Sequence, residues 1–231
     1  MRTFGVVGEV FKYFPDELLE DDGFHNIMGQ SGFGALFQGL QAQGNRACPM
    51  LVLGLLEWWW DTTNSFHFPW GEMTLTPLDF TMISGLAFTS TPCPMDLTIS
   101  TLHPQLEEWL GPIAAQFPKG RGHSTVSPDL LGQGLLLEGT TTLQKCRILL
   151  MLMICNCIAV DKGAATRCQL RYLAALADMS QVHTYDWAGL AYGCLIRSMR
   201  QACRQLNGSV NVSIVGYWRV LEVCHAFYFV C

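Results

Sequence analysis

The chain has 231 residues, 50% of them hydrophobic and 14% charged, which fits one globular core or two small ones. Its longest apolar run, Ile148 to Val160, is thirteen residues broken by Asn156, whereas a bilayer-spanning helix needs about 20, so no membrane span is expected. The net charge of −5 divides into −10 over residues 1–110 and +5 over residues 111–231, a polarity able to steer a charged partner, but no tract is basic enough to imply nucleic-acid binding by itself.

The N-terminal MRTFGVVGEVFKYF carries Glu9 and Lys12 within its apolar stretch and lacks a small-residue cleavage site. It does not read as a secretory signal, and the chain is expected to stay inside the cell. Residues 1–28 read as a weakly ordered or divergent segment, with an acidic stretch from Asp16 to Asp22. PMLVLGLLEWWW, from Pro49 to Trp60, reads as a helix ended by Asp61-Thr62-Thr63-Asn64. Beyond it the period changes. Phe66, Phe68 and Trp70 alternate with His67 and Pro69 before Gly71-Glu72 and Met73-Thr74-Leu75, the pattern of a small hairpin or extended segment near residues 65–75, and Pro69 argues against a central strand.

Thr76-Pro77-Leu78-Asp79 is a helix start: a threonine cap, proline at the first helical position and an acid at the third. The helix should run to about Leu86, with Phe80, Ile83 and Leu86 toward one core. Ser127-Pro128-Asp129 repeats the signal for a short segment through Leu137. Thr141 or Thr142 could cap the apolar helix to about Val160. Three more helices are expected: about Ala164 to Met179; one from Thr184 with an apolar stripe of Trp187, Leu190, Ala191, Cys194, Leu195 and Ala202, and with Arg197, Arg200 and Arg204 three or four apart; and one from near Gly216 to the end. Because GYWRVLEVCHAFYFVC closes without a cap or polar tail, the chain reads as shortened at its C-terminus. Ten cysteines, with Cys146, Cys155, Cys157, Cys194 and Cys224 in apolar helical patterns, read as reduced thiols packed as small hydrophobes. No repeat or low-complexity tract interrupts the series.

Several of these residues carry a family resemblance. Phe66-His67-Phe68-Pro69-Trp70-Gly71-Glu72-Met73-Thr74, followed by Leu78-Asp79 and Gly85-Leu86, resembles the core of the plant mobile domain. Gly32-Phe33-Gly34-Ala35-Leu36 and Trp58 to Trp60 precede it as in that family. Asp161-Lys162-Gly163, Tyr172-Leu173, Asp178, Tyr185-Asp186-Trp187, Leu195-Ile196-Arg197 and Gly216-Tyr217-Trp218 follow in the family's order. The resemblance covers about residues 29–229, and residues 29–231 are read as the domain. Its structural motif positions fall on Phe66, His67, Pro69, Gly71, Glu72, Asp79, Gly85, Trp187, Arg197 and Trp218. Three departures, Ala188 where the family commonly has glycine, Ile196 where it has tyrosine and Cys224 where it has tryptophan, imply altered packing more than lost chemistry. The resemblance implies a nuclear protein with roles in transposable-element silencing, genome stability and meristem maintenance. It also implies a protein partner related to phosphatase 7. Family members occur in transposable elements too.

Such proteins often carry the label "aminotransferase-like", which would require a lysine Schiff base with pyridoxal phosphate and a carboxylate on its pyridine nitrogen. The four lysines, Lys12, Lys119, Lys145 and Lys162, have no glycine-rich phosphate cradle near them, and consecutive helices are the wrong pattern for a large α/β domain. The glycines from Gly32 to Gly39 miss the P-loop and dinucleotide spacings. Cys146, Cys155, Cys157 and Cys168 lack a paired CxxC or HxxxH pattern, and no G-x-S-x-G elbow is present. Catalytic, cofactor and metal residues are therefore all read as none. His67 and Glu72, flanking a turn with Trp70, read as a hydrogen-bonded lock before an acid-base pair. Arg197, Arg200 and Arg204 are candidate phosphate contacts, against a solvated helix face. The expectation is a mainly α, multi-helix single domain that acts as a non-enzymatic interaction module. A pyridoxal-phosphate enzyme and a transposon-derived nucleic-acid-binding module are the alternatives.

Overall fold

Fifteen consecutive residues, Cys146 to Val160, are buried. A helix buried on every side must be surrounded on every side, and this one forms the centre of the fold. The computed structural model describes residues 2–3, 10–43, 48–120, 122–160, 167–206 and 213–229. Its helices are α1 (Asp22–Gln30), α2 (Gly34–Gln43), α3 (Pro49–Glu57), α4 (Pro77–Ser84), α5 (Leu106–Leu110), α6 (Pro128–Gln133), α7 (Thr142–Met153), α8 (Leu173–Leu176), α9 (Trp187–Leu206) and α10 (Arg219–Phe229). The architecture is mainly α, as the sequence predicted.

Two helices organise the rest. Helix α7 packs against α1, α5 and α6. It starts on a capping box in which Thr141 accepts from the Gln144 amide while the Gln144 side chain accepts from the Thr141 amide, so two orphan donors of the first turn are satisfied. Asn156 explains how α7 ends: its side-chain amide donates to the Leu152 carbonyl at 2.9 Å, inside a π-helical turn, Ile154–Ile158. That turn meets α9, the second hub, which packs against α3 and α4 and against a small sheet.

That sheet has strand order β2-β3-β4, with β2 (Trp59–Trp60), β3 (Ser65–Phe68) and β4 (Gly71–Met73) all antiparallel. It realises the predicted hairpin near residues 65–75 and adds a strand. Two shorter pairs complete the strands among the described residues: β1 (Arg2–Thr3) parallel to β7 (Ser213–Ile214), and β5 (Thr125–Val126) antiparallel to β6 (Cys168–Gln169).

The structure moves several predicted boundaries. Residues 10–28, part of the segment 1–28 read as weakly ordered or divergent, contribute Val10, Leu18, Phe24 and Met28 to the common core. Asp21 caps α1 through the Gly23 and Phe24 amides and also accepts from Thr142 Oγ1 at 2.9 Å, so this segment is tied to the start of α7. The helix expected to reach Trp60 stops at Glu57, because Trp59 and Trp60 pair with β3 instead. The helix expected from Ala164 to Met179 is broken: β6, a 3₁₀ turn and the four residues of α8 occupy its described part, and residues 161–166 lie outside the described residues. Helix α9 begins at Trp187 rather than Thr184, on an Asp186 carboxylate that accepts from the Gly189 amide at 2.8 Å. The last helix starts at Arg219 rather than Gly216, and the side chains from His225 onward lie outside the described residues.

A candidate interaction surface on the aromatic sheet and helix α9

The sheet begins where α3 fails to continue. Trp58 still has helical backbone, but the next two residues extend and pair in the register Trp59↔Phe66 and Trp60↔Ser65. The chain reverses through Asp61 to Asn64, and Asn64 takes a left-handed φ of 57°, which asparagine tolerates better than most residues. Thr74 Oγ1 donates to the Asn64 carbonyl at 2.7 Å and holds the reversal against the far side of the sheet. On the other hairpin, Pro69 and Trp70 form the two-residue turn, where proline has no ladder bond to lose.

Strand alternation sorts these side chains onto two faces. Toward the core, Trp59 meets Phe66 edge-on at 4.9 Å between ring centroids. Phe68, farther out, has Trp70 stacked on it at 5.0 Å and Trp58 tilted against it at 5.7 Å. The other face is a polar ladder roofed by an aromatic ring. Cross-strand partners His67 and Glu72 lie side by side, Ser65 Oγ donates to Glu72 Oε1 at 2.5 Å, and the His67 ring stacks on Trp60 at 4.7 Å.

This ladder superficially resembles a serine, histidine and acid relay. Its geometry differs in the respect that matters. Ser65 Oγ, Thr63 Oγ1 and Glu72 Oε1 all crowd one ring nitrogen, Nε2, at 3.1, 3.2 and 3.4 Å. In a relay the acid holds the opposite nitrogen so that the histidine can accept the hydroxyl proton. Here the serine proton is committed to the carboxylate, and the cluster cross-links β3, β4 and the Asp61 to Asn64 turn.

Helix α9 runs beside the sheet. Its Ala188, Ala191, Leu195, Ser198, Met199 and Ala202 are buried, while Gly193, Arg197, Arg200, Gln201 and Arg204 are exposed, the three- and four-residue spacing of one helical face. Cys203 Sγ contacts the Trp59 carbonyl at 3.2 Å, and Tyr192 Oη donates to the Leu75 carbonyl at 2.7 Å; together they fix helix and sheet in register. Two of the three arginines reach the Asp61 to Asn64 turn: Arg200 Nε donates to Asn64 Oδ1 at 2.6 Å and Arg204 Nε to Asp61 Oδ2 at 2.6 Å. Arg197, one turn back, contacts Cys194 Sγ. Asn64, Tyr192, Ile196, Arg197, Arg200 and Arg204 line a cleft of about 560 Å³. A second hollow, lined by Glu57, Trp60, Asp61 and Cys203, adjoins it across the Arg204 to Asp61 pair. A third lies under Trp58, Phe68 and Trp70.

A family model described as Plant mobile domain matches residues 41–230, the span that holds the sheet and both hub helices. The chain belongs to the plant mobile domain family. Protein MAIN-LIKE 2 of Arabidopsis thaliana is 25% identical to it over 154 residues, which are 66% of this chain and 23% of that relative. The chain thus spans less than a quarter of the length of that relative. No solved structure matches.

The remaining plant mobile domain motif residues are dispersed around the fold. Asp79 completes the capping box of α4, accepting from the Thr76 amide and hydroxyl at 2.9 and 2.6 Å. Gly85 closes that helix at φ 72° with its Cα against Ala35 of α2, a left-handed cap that glycine adopts without penalty. Trp187 is buried against Phe33, with ring centroids 5.3 Å apart, and Trp218 is buried under Arg219. Phe66, His67, Pro69, Gly71, Glu72 and Arg197 are gathered at the sheet and the adjoining face of α9; Asp79, Gly85 and Trp218 lie elsewhere, and Trp187, though it opens α9, packs on Phe33 away from the sheet. Of the departures, Ala188 is buried, whereas Ile196 and Cys224 are half-buried.

Sequence reasoning missed Trp58, Trp60, Trp70, Asp61 and Asn64 as surface-forming residues. The signal lay in the three consecutive tryptophans, since strand alternation must expose at least one of them. It also missed Arg147, buried in α7, whose Nε and Nη2 donate to the Leu176 and Ala177 carbonyls at 3.0 Å each and so close the end of α8; burial pushes its pKa down. Burial pushes the Cys146, Cys157, Cys93 and Cys224 thiols up to about 12, the environment of packed rather than reactive cysteines. Among the described residues no three histidine, cysteine or acidic side chains are grouped as metal ligands, and no helix is long and apolar enough to cross a membrane. Lys12 pairs with Asp129 at 2.6 Å, and Lys162 lies outside the described residues.

Proposed function

We propose that this plant mobile domain is a non-enzymatic protein-interaction module that docks a partner through the aromatic sheet and the adjoining face of α9. One observation carries the reading: Trp58, Trp60 and Trp70 are 42%, 56% and 68% exposed around one small sheet. Tryptophan is mostly buried in folded chains, and clusters of exposed tryptophan and arginine are the usual anchors of protein interfaces. Family membership supports the finer reading, in which the module works in the nucleus in transposable-element silencing, genome stability and meristem maintenance, with a phosphatase-7-like protein as partner. Affinity purification from plant nuclei tests it. The wild-type chain should recover a phosphatase-7-like protein, and a Trp58→Ser, Trp70→Ser double variant with an unchanged unfolding midpoint should not. Equal recovery by both would overturn the docking face. A stoichiometric, borohydride-trapped lysine adduct with pyridoxal phosphate would overturn the non-enzymatic reading.

The arginine row favours a second reading, a nucleic-acid-binding module of transposon origin, because guanidinium groups at helical spacing can follow phosphates. Against it, Glu57, Asp61 and Glu72 stand on the same surface. A salt-dependent DNA shift lost on charge reversal at Arg197 and Arg200 would establish it.

A further inference from the structure

We infer that the cleft between α9 and the Asp61 to Asn64 turn is a receptor for a single phosphoryl group carried on a partner protein's phosphorylated segment. The inference rests on the interaction reading above and specifies the chemistry of what docks there.

Three guanidinium groups, from Arg197, Arg200 and Arg204, line this cleft together with the neutral Asn64, Tyr192 and Gln201; among the described residues no carboxylate lines it, and Asp61 pairs with Arg204 at its edge. They share one helical face over seven residues, which at the helical rise spans about 10 Å. Arginine forks match phosphate oxygens in pairs. Two of the arginines are already aimed. The Nε bonds of Arg200 to Asn64 and of Arg204 to Asp61 hold both side chains against the turn, so less side-chain freedom is lost when a ligand binds. Arg200 is held by a neutral amide, which orients it and leaves its charge uncompensated at that bond.

The surroundings decide what kind of phosphate fits. Carboxylates bound the basic spot at both ends. Asp61 pairs with Arg204 at one end, with Glu57 on the adjoining hollow. At the other, Tyr192 Oη donates to the Leu75 carbonyl, next to Thr76, whose amide and hydroxyl donate to the Asp79 carboxylate. A nucleic-acid strand carries one charge per nucleotide and would run from the cleft onto these acids, with all of residues 1–110 at −10. A phosphorylated side chain puts about two negative charges in one place. Its flanking residues would meet Trp60, exposed on β2 beside the Asp61 to Arg204 pair, where apolar or basic neighbours are favoured by the ring and the carboxylates.

The test uses the full chain, immobilised, with three probes at fixed ionic strength. These are a degenerate nine-residue peptide library centred on phosphoserine, the same library with serine, and a twelve-nucleotide oligothymidine. The phosphorylated library should be retained at least tenfold over the serine library. Inorganic phosphate should compete where an equal ionic strength of chloride does not, a readout that needs no variant. Arg200→Gln and, independently, Arg197→Gln should abolish the phosphate preference with the unfolding midpoint unchanged, and Arg200→Lys should restore only part of it. Trp60→Ala should weaken both libraries. Equal retention of the two libraries, both lost in Trp60→Ala, would overturn the phosphoryl receptor while leaving the docking face standing. A preference untouched by Trp60→Ala but lost with the arginines would keep the receptor and remove that ring from the docking face. Retention of neither library, or tighter and steeply salt-dependent retention of the oligonucleotide, would overturn the inference.

Discussion

Replacing Trp187 and Trp218 in turn by phenylalanine isolates one hydrogen bond inside the core. Both indoles are buried, 2% and 3% exposed, so Trp187→Ala and Trp218→Ala should each cost about 3 to 5 kcal/mol through lost transfer energy and the cavity left behind. That cost masks the difference between them. Trp187 Nε1 donates to the Val182 carbonyl at 2.8 Å, whereas Trp218 Nε1 is buried with no partner among the described residues. Phenylalanine keeps most of the apolar ring and removes the N–H in both. At Trp187 the Val182 carbonyl is left with only the Tyr185 amide at 3.4 Å, a loss of about 1 kcal/mol. At Trp218 the change removes a donor that folding had taken out of water uncompensated, which returns about 1 kcal/mol against the packing loss. Trp187→Phe should therefore be about 2 kcal/mol more destabilising than Trp218→Phe. Urea unfolding followed by circular dichroism, read as midpoints at constant m, measures the difference. Equal midpoints, or a lower one for Trp218→Phe, would refute the reasoning.

Glycine replacement should separate two sites by sign. Gly85→Ala puts a Cβ 2.5 Å from Ala35 Cβ at a positive φ and should lose about 2 to 3 kcal/mol, whereas Gly39→Ala in α2 meets nothing within 4 Å and should gain roughly 0.5 to 1 kcal/mol; thermal midpoints moving the same way would contradict this. Thr76→Ala removes the hydroxyl half of the α4 capping box, leaving the Asp79 carboxylate only the residue-76 backbone amide, and should cost about 1 kcal/mol, read by urea midpoint. Hydrogen bonds from Thr142, Thr98 and Ser180 hold the Asp21, Asp96 and Asp178 carboxyls below their usual range. The stability they supply is present above the unfolded carboxylate pKa of about 4 and is lost as pH falls through the lower folded values. Midpoints that rise on acidification below about pH 4 would exclude this. With a thiol reagent at pH 8, exposed Cys48 should label first, and Cys146 and Cys157, buried and shifted to about 12, only at the unfolding rate; simultaneous labelling in native buffer would exclude their burial.

Local chemistry was the most legible part of the fold. The threonine, proline and acid starting at Thr76 form the cap that their spacing implies, because every bond of that cap lies within three residues. Thr141 does the same for α7. The hairpin at residues 65–75 was readable from alternation and from Pro69. Where the reading failed, distant partners were responsible. Trp59 and Trp60 continue an apolar helical pattern in sequence but find paired backbone on Ser65 and Phe66. The segment after Cys168 has helical spacing, yet β6 pairs back to Thr125 and Val126, and Arg147 terminates α8 from another helix.

The amino-acid order determined which faces are apolar, where α3, α4, α6 and α7 begin and which residues carry the plant mobile domain motif, since periodicity and capping are settled over a few residues. It placed Arg197, Arg200 and Arg204 on one face of α9 for the same reason. Only the tertiary structure decided that this face opposes Asn64 and Asp61, 136 and 143 residues away from Arg200 and Arg204, and that Trp60 stands beside the pair. Nothing local encodes that meeting, because it depends on packing α9 against β2, with Cys203 on the Trp59 carbonyl and Tyr192 on the Leu75 carbonyl just beyond β4.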